Sequence, residues 1–131
     1  MIDRAKYAQI RDEILAEKGE LTLFALFLRE GVEDRWDLIV SAPWLERDEA
    51  AGLKYVTKKL VSKLSERELL EVSRVVIMKQ ADPALRKLLR VVVDESDVHE
   101  FENIDFGNLS LDRAVIFGTH SLAIGLTRRG A

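Results

Sequence analysis

Leu21-Thr22-Leu23-Phe24-Ala25-Leu26-Phe27-Leu28 is the longest apolar run in the chain. Successive side chains of a β-strand point to opposite faces of the sheet, and both alternating sets are apolar here. A strand that is apolar on both faces is typical of the middle of a sheet that other elements cover on each side. The run is also far shorter than the roughly 20 residues that a helix needs to span a bilayer. We therefore predict a covered central β-strand and no membrane partner.

The patterns on both sides of this run predict the remaining elements. Apolar residues at helical spacing predict helices over residues 3–17, 46–63 and 83–90. Alternating or β-branched runs predict strands over residues 21–29, 36–41, 72–79, 98–106 and 109–118. Ser65-Glu66-Arg67-Glu68 has the capping-box pattern, which indicates one short extra helical turn.

This order of elements predicts a single globular domain over residues 1–131 of the α+β class. We expect a five-stranded mixed sheet with an N-terminal helix, a long central helix and a short helix, ending in a β-hairpin. An α/β three-layer arrangement is the alternative, because the crossovers through the second and third helices could each join parallel strands.

Gly107-Asn108 predicts the register of the final hairpin, because this pair suits a two-residue turn with glycine first. The numbers of opposed residues then add up to 215, so that Glu102 faces Arg113. The apolar residues of the hairpin are expected to share the core face: Val98, Ile104, Phe106, Leu109, Leu111, Val115 and Phe117. Glu102 and Arg113 are expected to form an ordinary cross-strand ion pair on that face, worth roughly 0.2–1 kcal/mol.

Composition restricts the classes of function. The chain has no cysteine, which excludes disulfides, thiolate metal sites and cysteine nucleophiles and suits a reducing compartment. Its N-terminus, Met1-Ile2-Asp3-Arg4, is charged and lacks an apolar signal region. We therefore expect a soluble cytoplasmic protein. The seven glycines form neither a P-loop nor a dinucleotide-binding fingerprint, so no cofactor is predicted.

Charge is sorted along the chain. Residues 54–90 carry ten basic and four acidic side chains, a net charge of +6, whereas residues 94–112 carry seven acids and no lysine or arginine. Two helices hold most of the positive charge, and a shared positive surface could hold a nucleic-acid backbone. The candidate residues for that surface are Lys54, Lys58, Lys59, Lys63, Arg86, Lys87 and Arg90. Solvated helix faces are the alternative explanation of the same charges.

One grouping of carboxylates with an imidazole could hold a divalent metal ion. If the strands of the hairpin continue beyond Val98 and Gly118, Glu95 opposes His120 and lies near Asp97. The same residues could instead form the acid–base pair of a small hydrolase. A loop at Asp94-Glu95-Ser96-Asp97 would separate them.

Asp37 is an acid at the head of an apolar strand, as in metal-dependent nucleases of the restriction-endonuclease type. Those folds also need a Glu-x-Lys or Asp-x-Lys motif on a nearby strand, and no predicted strand here carries one. We therefore interpret Asp37 as an acid at a strand end.

The aromatic and aliphatic residues exceed what a small core needs, which suggests an apolar patch for self-association. Its candidate residues are Trp36, Trp44, Phe101 and Ile116. The leading hypothesis is a domain that acts through protein–protein contacts, as a homodimer or with another protein. A nucleic-acid-binding or metal-dependent nuclease-like protein is the alternative, and whether the chain is an enzyme stays open.

Overall fold

The computed structural model describes residues 2–91, 98–106 and 109–119. It contains five helices and five strands in the described ranges. In chain order they are α1 (Arg4–Lys18), β1 (Leu23–Arg29), β2 (Trp36–Ser41), α2 (Pro43–Arg47), α3 (Glu49–Lys63), α4 (Glu66–Leu70), β3 (Val72–Ile77), α5 (Pro83–Val91), β4 (Val98–Phe106) and β5 (Leu109–Phe117). None of the helices in this part of the chain is long and apolar enough to cross a membrane.

The strands form one mixed sheet in the order β3-β2-β1-β5-β4. Strand β1 lies in the middle, as its uninterrupted apolar sequence predicts, and residues 23–27 are almost completely buried. It pairs antiparallel with β2 on one side and β5 on the other. Among the described strands, only β2 and β3 pair in parallel, because the chain between them crosses over through α2, α3 and α4.

Helices cover both faces of this sheet. Side chains of α1 and α3 pack with Phe24, Leu26 and Leu38 into one core, on what we call the α1 face. Side chains of α5 pack with Leu23, Phe27 and Ile39 into a second core, on what we call the α5 face. The α+β class with a five-stranded mixed sheet is confirmed. The helices also form the outer layers that the three-layer alternative predicted, although most strand pairs are antiparallel.

The ends of several helices follow their sequence signals. Asp3 caps α1 by accepting the amide of Lys6, and Gly19 ends it in the left-handed conformation with φ of 91°. Ser65 and Glu68 form the predicted capping box of α4.

The helix predicted over residues 46–63 is wrong at its start. The segment forms two helices, α2 and α3, because Asp48 adopts an extended conformation and caps α3 by accepting the amide of Ala51 at 3.1 Å. Pro43 opens α2 at a position where a missing amide costs no hydrogen bond. Gly52 then lets α3 approach α2 closely, since a Cβ atom there would lie 2.7 Å from Leu45 Cδ2.

The predicted register of the hairpin is confirmed, with Phe106 opposite Leu109 and Glu102 opposite Arg113. The predicted faces are wrong. Ile104 and Leu111 pack in the core of the α5 face, whereas Val98, Val115 and Phe117 pack on the α1 face. The cause is one irregular residue in each strand of the hairpin, Asn103 in β4 and Asp112 in β5, which are left out of the regular pairing. Asn103 has a positive φ of 49°, and at Asp112 the pairing of β5 with β1 shifts by one residue. An extra residue turns every following side chain to the opposite face.

Candidate functional site

Charged side chains gather where β1 ends and β2 begins, which we call the charged end of the sheet. On the α5 face, Asp37 of β2 is only 2% exposed. Arg29, the last residue of β1, donates from Nε to Asp37 Oδ2 at 2.9 Å. Arg74, on β3, donates from Nη2 to the same oxygen at 3.3 Å. The Nε atom of Arg74 lies 3.2 Å from Asp37 Oδ1, which is within ion-pair distance but does not meet hydrogen-bond geometry.

Asp37 is therefore held between two guanidinium groups, one from each neighbouring strand. A buried carboxylate needs such partners because its desolvation costs several kcal/mol when it is unpaired, as an order of magnitude. The arginine side chains are less buried than the acid, at 38% exposed for Arg29 and 56% for Arg74. The three side chains together carry one net positive charge.

A second network occupies the α1 face of the charged end. Glu100 of β4 pairs with Arg113 of β5 at 3.1 Å and also with Arg4 of α1. The Arg113 guanidinium lies 6.0 Å from the ring centroid of Trp36, within the range of a cation–π contact. The predicted ion pair of Arg113 with Glu102 is thus replaced by one with Glu100. These side chains line an open cleft of about 230 Å³ together with Ile2, Asp34 and Val115.

The candidate nucleic-acid residues do not share a face. Helix α3, with Lys54, Lys58, Lys59 and Lys63, packs on the α1 face, whereas α5, with Arg86, Lys87 and Arg90, packs on the α5 face. The condition for a common positive surface, two basic helices on one face of the sheet, is therefore not met, because the crossovers before and after β3 pass on opposite sides of the sheet.

Two of the α3 lysines join helices within the protein. Lys59 binds Glu17 at 2.7 Å and Glu13 at 3.1 Å on α1, and Lys63 also pairs with Glu13. These hydrogen bonds lower the pKa of both glutamates, and those from Lys59 to Glu17 and Glu13 raise the pKa of Lys59. Lys54 and Lys58 remain exposed.

Helix α5 presents its basic residues to solvent. Arg86, Lys87 and Arg90 line an open groove with Ala81 and Pro83, and none of the three is ion-paired to a described residue. The opposite side of the helix buries Leu85 and Leu88 in the core of the α5 face.

The predicted metal ligands Glu95, Asp97 and His120 lie outside the described residues. Within residues 2–91, 98–106 and 109–119, no group of three histidine, aspartate or glutamate side chains is placed to hold a metal ion. Asp37 in particular is occupied by its two arginines.

The four predicted interface residues differ in exposure. Trp36 and Ile116 are buried in the two cores, so neither belongs to an exposed patch. Trp44 is half-buried, donates from Nε1 to the Glu20 carbonyl at 2.8 Å and packs edge-on against Tyr55. Phe101 is half-buried and stacks on His99 at 6.5 Å. A role of Trp44 and Phe101 in self-association stays a prediction.

Strand β3 forms one edge of the described sheet and pairs only with β2 there. Its sequence, Val72-Ser73-Arg74-Val75-Val76-Ile77, has one charged residue, and all the others are half-buried. Met78 donates its amide to Val40 of β2 at 2.8 Å. Because amides alternate in direction along a strand, the N–H and C=O groups of Val75 and Ile77 point away from β2, to the edge that pairs with no other described strand.

Local sequence patterns predicted neither of these two groups of ion pairs, the one around Asp37 and the one around Glu100. Each joins residues that are far apart in the chain, such as Arg29 with Arg74 and Arg4 with Glu100, and their proximity depends on the strand order. An aspartate inside an otherwise apolar strand was the available signal, because a buried acid requires a cationic partner.

Comparison of the chain with family models, with curated proteins and with solved structures finds no match in any of the three sets.

Proposed function

We propose that the chain is a cytoplasmic domain that acts through protein–protein contacts, and that it forms a homodimer by pairing strand β3 with β3 of a second copy. The observation that carries this proposal is the apolar edge of β3, with the outward backbone groups of Val75 and Ile77. An exposed strand edge is a template for another strand, and main-chain hydrogen bonds then supply the affinity.

The two edges of the described sheet differ in how they resist such pairing. Strand β4 carries Glu100, Glu102 and Asp105, and it is interrupted at Asn103 by a positive φ. Charges and irregularities of this kind protect a sheet edge. Strand β3 has only Arg74, so its edge is the better candidate for an interface.

Antiparallel pairing suits the sequence of β3. A two-fold axis at Val75 would place Arg74 opposite Val76 of the second copy, so the two arginines would not face each other. Leu70, at the end of α4 just before β3, is 73% exposed and adds apolar surface next to this edge. Helix α3 contacts β3, and Val61 on this helix is 58% exposed.

Sedimentation equilibrium tests the proposal. The wild-type chain is expected to give a species of twice 14.9 kDa at micromolar concentration and to dissociate on dilution. Val75→Pro removes an outward N–H, which edge strands tolerate, and is expected to give a monomer. Val75→Thr keeps that N–H and a β-branched side chain, and is expected to remain dimeric.

A second pair of variants keeps the test decisive if Val75→Pro does not fold. Leu70→Lys places a charge beside the β3 edge and should weaken the dimer, whereas Leu89→Lys changes a comparably apolar exposed position on α5 and should not. A wild-type chain that sediments only at 14.9 kDa contradicts the proposal. Equal weakening by both leucine substitutions also contradicts it.

A nucleic-acid backbone on the α5 groove is the second candidate. It is favoured by the three solvent-facing cations Arg86, Lys87 and Arg90, which have no acidic partner in the described ranges. Binding of a random DNA duplex should weaken steeply as salt rises, because phosphate contacts release counterions. Arg86→Gln should then reduce both the affinity and the salt dependence. Lys54→Gln on the opposite face should change neither.

A further inference from the structure

We propose that Arg29 and Arg74, positioned by the buried carboxylate of Asp37, form a binding site for a phosphate group. The site lies on the α5 face at the charged end of the sheet. It shares β3 with the proposed dimer but needs only one copy of the chain. The argument rests on the geometry of the three side chains, on their unequal burial and on their net charge.

Asp37 fixes the position of both arginines. It lies on β2 between the two strands that carry them and is almost completely buried. Its Oδ2 atom accepts hydrogen bonds from both guanidinium groups, at 2.9 Å from Arg29 and 3.3 Å from Arg74. Arginines that are already held in place lose less conformational freedom when an anion binds.

Each guanidinium keeps donors for a further partner. Arg29 contacts Asp37 through Nε, and Arg74 does so through Nε and Nη2. Neither arginine side chain has another hydrogen-bond or ion-pair partner among the described residues. Both side chains are partly exposed, so an anion in solvent can reach their remaining N–H groups.

One arginine would suffice to neutralise Asp37, because a carboxylate and a guanidinium match each other in charge and in bidentate geometry. The second arginine leaves one net positive charge. The two cations also exclude a divalent metal ion from Asp37. The arrangement therefore recognises an anion.

Phosphate fits this pair better than a carboxylate. Two guanidinium groups from different strands present donors in different directions, and a tetrahedral phosphate has oxygens for both, whereas a planar carboxylate has only two oxygens. The group could be free phosphate or a phosphoryl group on a larger molecule, and both offer the same oxygens.

Isothermal titration with inorganic phosphate tests the site, with sodium chloride added to hold ionic strength constant. The wild-type chain is expected to bind phosphate saturably and acetate much more weakly. Arg29→Gln and Arg74→Gln are each expected to weaken phosphate binding by about tenfold or more, the loss that follows from removing one charge-assisted contact. Lys54→Gln, which removes an exposed positive charge from α3 on the opposite face of the sheet, is the control and should change affinity less than about twofold.

Methyl phosphate distinguishes the two sources of the ligand. Binding as tight as that of inorganic phosphate supports a site for a phosphoryl group on a larger molecule. Weaker binding supports a site for free phosphate. The proposal is overturned if no saturable binding of phosphate occurs, or if Lys54→Gln weakens it as much as Arg74→Gln.

The outcome is separable from that of the proposed dimer. Val75→Pro is expected to be monomeric and still to bind phosphate, because it leaves the three charged side chains in place. Thermal melts of each arginine variant show whether it remains folded. If Arg29→Gln does not fold, Arg74→Gln decides the result, since Arg74 is the more exposed of the two.

Discussion

Arg29 and Arg74 lie on opposite sides of β2 and donate to the same oxygen of Asp37, although 44 residues separate them in the sequence. The two contacts therefore substitute for each other in neutralising a buried carboxylate. Either arginine alone still pairs with the acid, whereas loss of both leaves an uncompensated buried charge. This redundancy has a measurable consequence for stability.

Arg29→Gln and Arg74→Gln should each lower the free energy of unfolding by about 1 kcal/mol. This is less than the roughly 1.5–3 kcal/mol of an unshared hydrogen bond to a charged group, because the other arginine still pairs with the acid. The double variant should lose roughly 3–5 kcal/mol, because it leaves Asp37 buried and unpaired. Urea unfolding of the wild type, both single variants and the double variant measures this coupling. Strictly additive losses would show that the two arginines do not share the acid, and Arg86→Gln, which should change stability by less than about 0.5 kcal/mol, is the control.

Local patterns predicted much of this fold because they act over a few residues. The apolar run at 21–28 placed β1 in the centre of the sheet, and Gly107-Asn108 predicted the pairing of Phe106 with Leu109. The inverted faces beyond Asn103 escaped prediction, because a positive φ at an asparagine inside a strand leaves no periodic signal. The break at Asp48 had a signal, since aspartate is a common N-cap, but the acidic run around it also suited the first turn of one longer helix.

The candidate sites depended on long-range order that the sequence does not encode locally. The basic residues of α3 and α5 looked alike in sequence, yet the two helices lie on opposite faces and Lys59 and Lys63 bind acids of α1. Arg29 was the last residue of a predicted strand, and only the strand order brings Arg74 to the same acid. Predicting such a site requires the neighbours of β2, which local spacing leaves open.

Acid should weaken the contact between α1 and α4. The hydrogen bond from Lys6 to Glu68 is the main cause that lowers the pKa of Glu68 to about 2 from an ordinary value near 4.5. A carboxyl group whose pKa is lower in the folded state stabilises the fold above its unfolded pKa, and the stabilisation is lost as the pH falls toward the folded pKa. The contribution of Glu68 should therefore decline from about pH 4.5 toward pH 2.

Lys6→Met checks this expectation. The variant removes the main cause of the lowered pKa while keeping a long side chain on α1. Its stability, measured by urea unfolding between pH 7 and pH 3, should fall less steeply with acid than that of the wild type. Lys54→Met, which removes an exposed lysine of α3 that has no ion pair with a described residue, should leave the pH dependence unchanged. Parallel curves for Lys6→Met and the wild type would contradict the assignment.

Gly52 should not tolerate alanine, although alanine is the better helix former by about 1 kcal/mol. A Cβ atom at this position would lie 2.7 Å from Leu45 Cδ2, and Leu45 of α2 is completely buried in the core of the α1 face. Overpacking of a core costs roughly 1–3 kcal/mol, so Gly52→Ala should be destabilising overall. Chemical unfolding measures the difference. The paired variant Leu45→Val with Gly52→Ala should recover part of the loss, and a stabilised Gly52→Ala would show that α2 moves freely.

Substitutions in β1 test whether both faces of the central strand are covered. Phe24 points into the core of the α1 face and Phe27 into that of the α5 face, and both are at most 1% exposed. Each substitution to alanine should lower the free energy of unfolding by roughly 3–5 kcal/mol, through lost burial and a residual cavity. The half-exposed Leu89 provides the control, since Leu89→Ala should cost less than about 1 kcal/mol. A small loss at Phe27 with a large loss at Phe24 would mean that α5 does not cover its face in solution. Similar losses at both positions would support a strand buried between two helical layers.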